Sequence, residues 1–152
     1  MEIRCFFYFQ WKFYKKALNI DDQNPDYWFA IADAEYKLGN LEESEKAYEK
    51  VIEFNPLDVE AWLDYSSIVF EQEQIKKCIE IIADGIKNNP DSADLYFRMV
   101  AYLFADGQYN EALNQLQLAL SFDADKHYLL FEYLPQLQTN KVIIDIINSY
   151  LK

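Results

Sequence analysis

The 152-residue chain carries 26 Asp and Glu against 14 Lys and Arg, a net charge of −12. That balance makes the chain a poor candidate for nucleic acid, which rewards clustered cations, and disfavours anionic membrane surfaces. With 51% hydrophobic and 17% aromatic residues, and only three Gly and four Pro, the chain is too apolar for disorder and favours helices over turns.

The N-terminal segment MEIRCFFYFQWKFYKK is crowded with aromatics. Glu2 and Arg4 precede its apolar patch and no small-residue cleavage site comes after it, so it does not read as a secretion signal. No stretch reaches the length of a membrane span. As a helix, this segment puts Phe7, Trp11, Tyr14 and Leu18 on one face, suited to packing on the repeats that begin at Pro25. Phe6, Phe9 and Phe13 fall on adjoining faces.

From Pro25 onward the chain repeats. Trp28, Trp62 and Tyr96 stand 34 residues apart, and Pro56 and Pro90 keep the same step. Three aligned rows cover 25–58, 59–92 and 93–126, a weaker row covers 127–152, and a half row covers 5–24. In the first row Trp28, Ile31, Ala32 and Glu35 follow the spacing of one helix face. Leu38-Gly39-Asn40 makes the turn, with Gly39 free to take the left-handed conformation that ends a helix. A second helix runs from about Glu42 to Phe54, and Asn55-Pro56 breaks it. The same columns recur: Leu41, Ile75, Tyr109, Ile143, then Tyr48, Ile82, Leu116, Tyr150. Small residues recur in three columns (Ala32 and Ser66 with Val100, Ser44 with Cys78 and Ala112, Gly85 and Ala119 with Val51), which predicts close helix crossings and makes Cys78 a packing residue.

These rows resemble the tetratricopeptide repeat (TPR), through Trp28, Ala32, Gly39, Leu41, Tyr48 and Pro56 in the first row and Tyr96, Gly107, Tyr109, Ala112 and Ala119 in the third. The resemblance covers about 5–126 strongly and 127–152 weakly. It implies an all-α fold, a right-handed α-solenoid of antiparallel helix pairs. The departures are Glu73 for the turn glycine of the second row, Ala124 for the exit proline of the third, and Glu35 where a large apolar residue is expected, with Tyr36 beside it to supply packing. Pro135 falls inside the expected first helix of the fourth row, predicting a kink or break near Leu134, and Val142–Leu151 closes the stack.

The resemblance further implies a concave groove lined by the first helices. Its candidate residues are Phe29, Asp33, Tyr36, Leu63, Asp64, Phe70, Asp94, Phe97, Arg98 and Phe104, an aromatic lining with an acidic bias. A peptide or protein segment with apolar anchors and Lys or Arg suits it. Family members that clamp a C-terminal carboxylate use Lys, Asn and Arg, whereas the corresponding positions here are mostly Asp, so acidic chaperone-tail peptides are expected not to bind. The competing reading of the aromatic stripe is plain core.

The expected function is therefore a non-enzymatic protein–protein interaction module. The alternative is a self-associating scaffold, or a piece of a longer repeat protein, with Phe6, Phe9 and Phe13 as the self-association face of a homodimer. No metal spacing, phosphate loop or nucleophile motif appears, His127 reads as a surface residue, and no cofactor is expected. Asp33, Asp64 and Asp94 read as groove charge rather than an acid–base cluster. Cys5 and Cys78 form no disulfide framework, which points to a reducing, cytoplasmic setting.

Overall fold

The computed structural model describes residues 2–152. Among the described residues there are nine α-helices and no strand. In chain order these are α1 (Glu2–Leu18), α2 (Pro25–Lys37), α3 (Leu41–Phe54), α4 (Val59–Glu71), α5 (Ile75–Asn88), α6 (Ala93–Ala105), α7 (Tyr109–Asp123), α8 (Tyr128–Tyr133) and α9 (Lys141–Tyr150). The chain forms two compact units, one up to Glu73 holding α1–α4 and one from Gln74 onward holding α5–α9.

Helix starts follow local chemistry. Pro25 opens α2 at a position where its missing N–H costs nothing, and the Asn24 side chain accepts from the Asp26 N–H at 3.0 Å. Asp58 caps α4 by accepting from the Ala61 N–H at 3.1 Å. The turns after α2 and α6 use Gly39 and Gly107 at φ +84° and +77°, where a side chain would be strained. Glu73 takes the same left-handed backbone, φ +59°, without the glycine. The chain holds it there at a cost of about 1–2 kcal/mol.

The aromatic ladder acquires a physical role. Trp28 Nε1 donates to the Asp22 carbonyl at 2.7 Å, Trp62 Nε1 to the Pro56 carbonyl at 2.9 Å, and the Tyr96 hydroxyl to the Pro90 carbonyl at 3.0 Å. Each rung thus fastens the loop that enters its own helix, six residues upstream. Asp22 occupies the place of Pro56 and Pro90 in this arrangement, so the displaced proline at Pro25 leaves the clamp intact. The next rung is Leu130, which is fully buried and has no donor. There the Ala124 carbonyl is taken by His127 Nδ1 at 2.9 Å. A carbonyl only accepts, so Nδ1 carries the proton, and His127 is a half-buried loop clamp rather than a surface residue.

In the first unit α2 packs against both α1 and α3, and α3 also packs against α4. The small columns are buried as expected: Ala32, Ser44, Ser66, Cys78, Ala112 and Ala119 have no exposed surface. Ser44 Oγ donates to the Ala32 carbonyl at 2.6 Å, so a polar residue sits at the α2–α3 crossing at little cost. On α1 the face carrying Phe7, Trp11, Tyr14 and Leu18 turns inward, while Phe6, Phe9 and Phe13 stay exposed.

Glu35 corrects one expectation. It is buried, with Oε1 accepting from Trp11 Nε1 and Oε2 from Asn40 Nδ2 at 2.8 Å. The carboxylate itself therefore ties α1 to α2. Tyr36 does not substitute for it in packing; it is 36% exposed and donates to Glu71 at 2.7 Å.

In the second unit α6 packs against α5, α7 and α8, and α7 packs against α9. The kink or break expected near Leu134 is a break: α8 ends at Tyr133, Leu134 leaves the helical conformation at φ −135° and ψ 81°, and Pro135–Thr139 forms a 3₁₀ turn. Asn140 then caps α9 by accepting from the Ile143 N–H at 3.2 Å.

Candidate functional site

The first unit builds a cavity of about 210 Å³ lined by Asp33 and Tyr36 of α2, Tyr48 of α3, and Asp64, Ser67, Ile68 and Glu71 of α4. Asp33 and Tyr36 are three apart on one helix, and Asp64, Ser67, Ile68 and Glu71 follow the i, i+3, i+4, i+7 spacing on the other, so each helix presents one face. Three of the sequence-predicted residues, Asp33, Tyr36 and Asp64, meet here.

Two phenols organise the carboxylates. The Tyr36 hydroxyl donates to Glu71, which raises its pKa above the ordinary tyrosine value, with partial burial adding to the shift. The Tyr48 hydroxyl donates to Asp64 Oδ2 at 3.4 Å. Burial pushes the Tyr48 pKa far upward, and the charges of Asp64 and Asp33 push it further. Both phenols stay neutral at physiological pH and act as donors. Asp33 pairs with Lys37 one turn along at 2.9 Å, with both side chains about 40% exposed. Such a pair is worth at most about 1 kcal/mol, so an incoming cation can replace Lys37.

The remaining candidates divide. Phe29 stacks edge-on against Tyr48, ring centroids 5.5 Å apart, and backs the cavity from behind. Leu63 is half-buried, and its carbonyl accepts from the hydroxyls of Ser66 and Ser67. Phe70 is 45% exposed and does not line this cavity. In the second unit Phe97 is fully buried. That corrects its placement as a ligand contact: α6 is enclosed by α5, α7 and α8, so this member of the column is core. Asp94 is ion-paired with Lys126 at 2.8 Å. Arg98 stacks on Tyr133 at 4.0 Å and donates to the Tyr102 hydroxyl at 3.1 Å, and Phe104 packs on Tyr109.

Sequence reasoning missed Tyr48, Ser67 and Ile68 as site residues. The available signal for Tyr48 was its hydroxyl in a column that otherwise reads Ile82 and Leu116 before Tyr150; Ser67 offered none. Among the described residues no group of three or more His, Cys, Asp or Glu is arranged to hold a metal ion, and no helix is long and apolar enough to cross a membrane.

The buried phenols also set an alkaline limit on stability. Burial is the largest cause of the raised pKa of Tyr65, followed by its hydroxyl's bond to Glu49 at 2.9 Å, and Tyr48 is raised similarly. A folded pKa above the unfolded value of about 10 means the folded state holds its proton more tightly. The resulting stability is complete below pH about 10 and is lost as pH rises from there toward the folded pKa. Urea unfolding measured across this range is expected to show a decline that Tyr48→Phe and Tyr65→Phe each blunt; an unchanged slope in both variants would contradict it.

Paired helices repeating every 34 residues, with clamped loops and small residues at the crossings, define a TPR-like helical repeat, a class of protein-interaction scaffold. Within that class the chain belongs to the family described as PRP39 N-terminal HAT repeat, whose model matches residues 12–133. It is similar to protein O-mannosyl-transferase TMTC3 of Homo sapiens, 27% identical over 122 residues, covering 78% of this chain. It spans only 13% of that relative's length. Among solved structures, MamA superposes with a TM-score of 0.67 at 18% identity, covering 90% of this chain and 80% of that one. YrrB, described as a TPR protein with an unusual peptide-binding site, superposes with a TM-score of 0.63 at 17% identity, covering 93% and 74%. These likenesses establish the α-solenoid fold.

Proposed function

We propose that the first unit binds a peptide segment carrying Lys or Arg beside an apolar side chain, in the cavity between α2 and α4. The observation that carries this is the meeting of Asp33, Asp64 and Glu71 with two neutral tyrosines in one cavity. A desolvated ammonium or guanidinium gains from three nearby carboxylates, and the ring faces of Tyr36 and Tyr48 accept the adjoining aliphatic stem. The family's role as an interaction scaffold and the peptide site described for YrrB support the reading. The chain acts here as a non-catalytic adaptor.

The test is a calorimetric titration of the full chain with a short Lys- and Leu-containing peptide and its Glu-for-Lys counterpart. The basic peptide is expected to bind, with affinity falling about tenfold, or roughly 1.4 kcal/mol, in Asp33→Asn/Asp64→Asn. Binding that survives the double substitution unchanged, or equal binding of the acidic peptide, would refute the proposal.

A further inference from the structure

The outer face of α1 is the chemical opposite of that cavity. Phe6, Phe9 and Phe13 form a stripe at i, i+3 and i+7, exposed by 58%, 67% and 66%. Beside Phe9 and Phe13, the exposed Lys12 and Lys16 line the same shallow depression of about 600 Å³. A second depression of about 490 Å³, almost wholly apolar, runs from Arg4, Cys5, Tyr8 and Phe9 to Leu38 and Asn40. The helix carries four cations, Arg4, Lys12, Lys15 and Lys16, against the single carboxylate Glu2, in a chain whose net charge is −12. The basic charge is thus gathered on a helix whose outer face leaves Phe6, Phe9 and Phe13 uncovered.

We propose that this face docks an acidic amphipathic helix of a partner protein. The shape argument is internal to the first unit: among the described residues α3 packs extensively on two helices, α2 and α4, whereas the extensive packing of α1 is on α2. A helix laid on the open side completes the same packing and buries the aromatic stripe. The charge argument selects the occupant. A symmetric pairing of two α1 helices would set Arg4, Lys12 and Lys16 against their own copies, and an acidic helix meets them with opposite charge. This surface is separate from the acidic cavity between α2 and α4.

The full chain is titrated with a labelled synthetic helix bearing Leu at i, i+3, i+4 and i+7 flanked by Glu, and with its Lys-for-Glu counterpart. Phosphatidylserine vesicles and sedimentation of the chain alone are run alongside. The acidic helix is expected to bind, and Phe9→Ser/Phe13→Ser and Lys12→Glu/Lys16→Glu are each expected to weaken it about tenfold or more. All four side chains are exposed, so the fold survives, which circular dichroism checks. Binding unaffected by Asp33→Asn/Asp64→Asn confirms a surface distinct from the cavity. The proposal is overturned if neither peptide binds, if the basic helix binds equally, if vesicles capture the chain through these phenylalanines, or if a dimer abolished by the Phe substitutions forms without peptide.

Discussion

Phe97→Ala is expected to destabilise the second unit by about 3–5 kcal/mol, as a large aromatic removed from a close-packed core does. The ring has no exposed surface, and its helix buries Leu95, Tyr96, Met99, Val100, Ala101, Tyr102 and Leu103 as well. Such a helix has no solvent face along most of its length. Truncation therefore leaves a cavity that neighbours on three helices cannot all close, because each is pinned by other contacts. Phe97→Leu keeps most of the volume and is expected to cost less than about 1.5 kcal/mol. Urea unfolding monitored on the second unit reads both. A loss below about 1 kcal/mol for the alanine variant would show that Phe97 is a surface residue after all. The same measurement guards binding experiments, because reduced partner capture by Phe97→Ala would report unfolding and not a lost contact.

This residue shows where a repeating sequence is informative. The 34-residue step locates the paired helices because it is carried by turn chemistry, by small residues at crossings and by a clamping aromatic, all local features. Burial is different. Phe29, Leu63 and Phe97 share a column, yet Phe29 and Leu63 are half-buried and Phe97 is fully enclosed. Phe97's helix, α6, has three neighbours in its unit. A column position reveals which way a side chain points, but the number of helices waiting there depends on tertiary placement. The cavity was legible in Asp33, Tyr36 and Asp64, since they lie on the first helices of adjacent rows. Tyr48 was not, because a second-helix residue reads as packing until its hydroxyl is seen to reach Asp64. Glu73 read as a departure from the turn pattern, and the backbone kept the left-handed turn in spite of it. The distorted fourth row was foreshadowed by Pro135, but His127 taking over the loop clamp from a donorless Leu130 was not.

Glu35 is the other position where an apparent misfit becomes structural, and breaking its bonds is expected to cost about 1–3 kcal/mol. The residue is 6% exposed, and its carboxylate is held by the Trp11 indole from α1 and the Asn40 amide from the turn after α2. Trp11→Phe removes the indole donor and leaves a buried charged oxygen short of a hydrogen bond, the costly half of the interaction. Glu35→Gln is expected to cost less, because the amide oxygen still accepts from Trp11 and Asn40 can turn its own oxygen toward the new NH₂ group. Glu35→Leu loses the bonds but also removes the buried charge, so Trp11→Phe/Glu35→Leu should recover part of the single-mutant losses. The double-mutant cycle in urea unfolding is expected to give a coupling of about 1–2 kcal/mol. Additive losses within about 0.3 kcal/mol would mean that the two side chains do not act on each other. The coupling matters beyond stability. This bond and the stacking of Lys37 on Phe7 at 5.0 Å fix the rotation of α1 on α2, and with it the outward aim of Phe6, Phe9 and Phe13. A variant that frees α1 to roll would turn those rings toward their own unit and weaken the proposed docking on the outer face, while the proposed cation binding between α2 and α4 is expected to be unchanged.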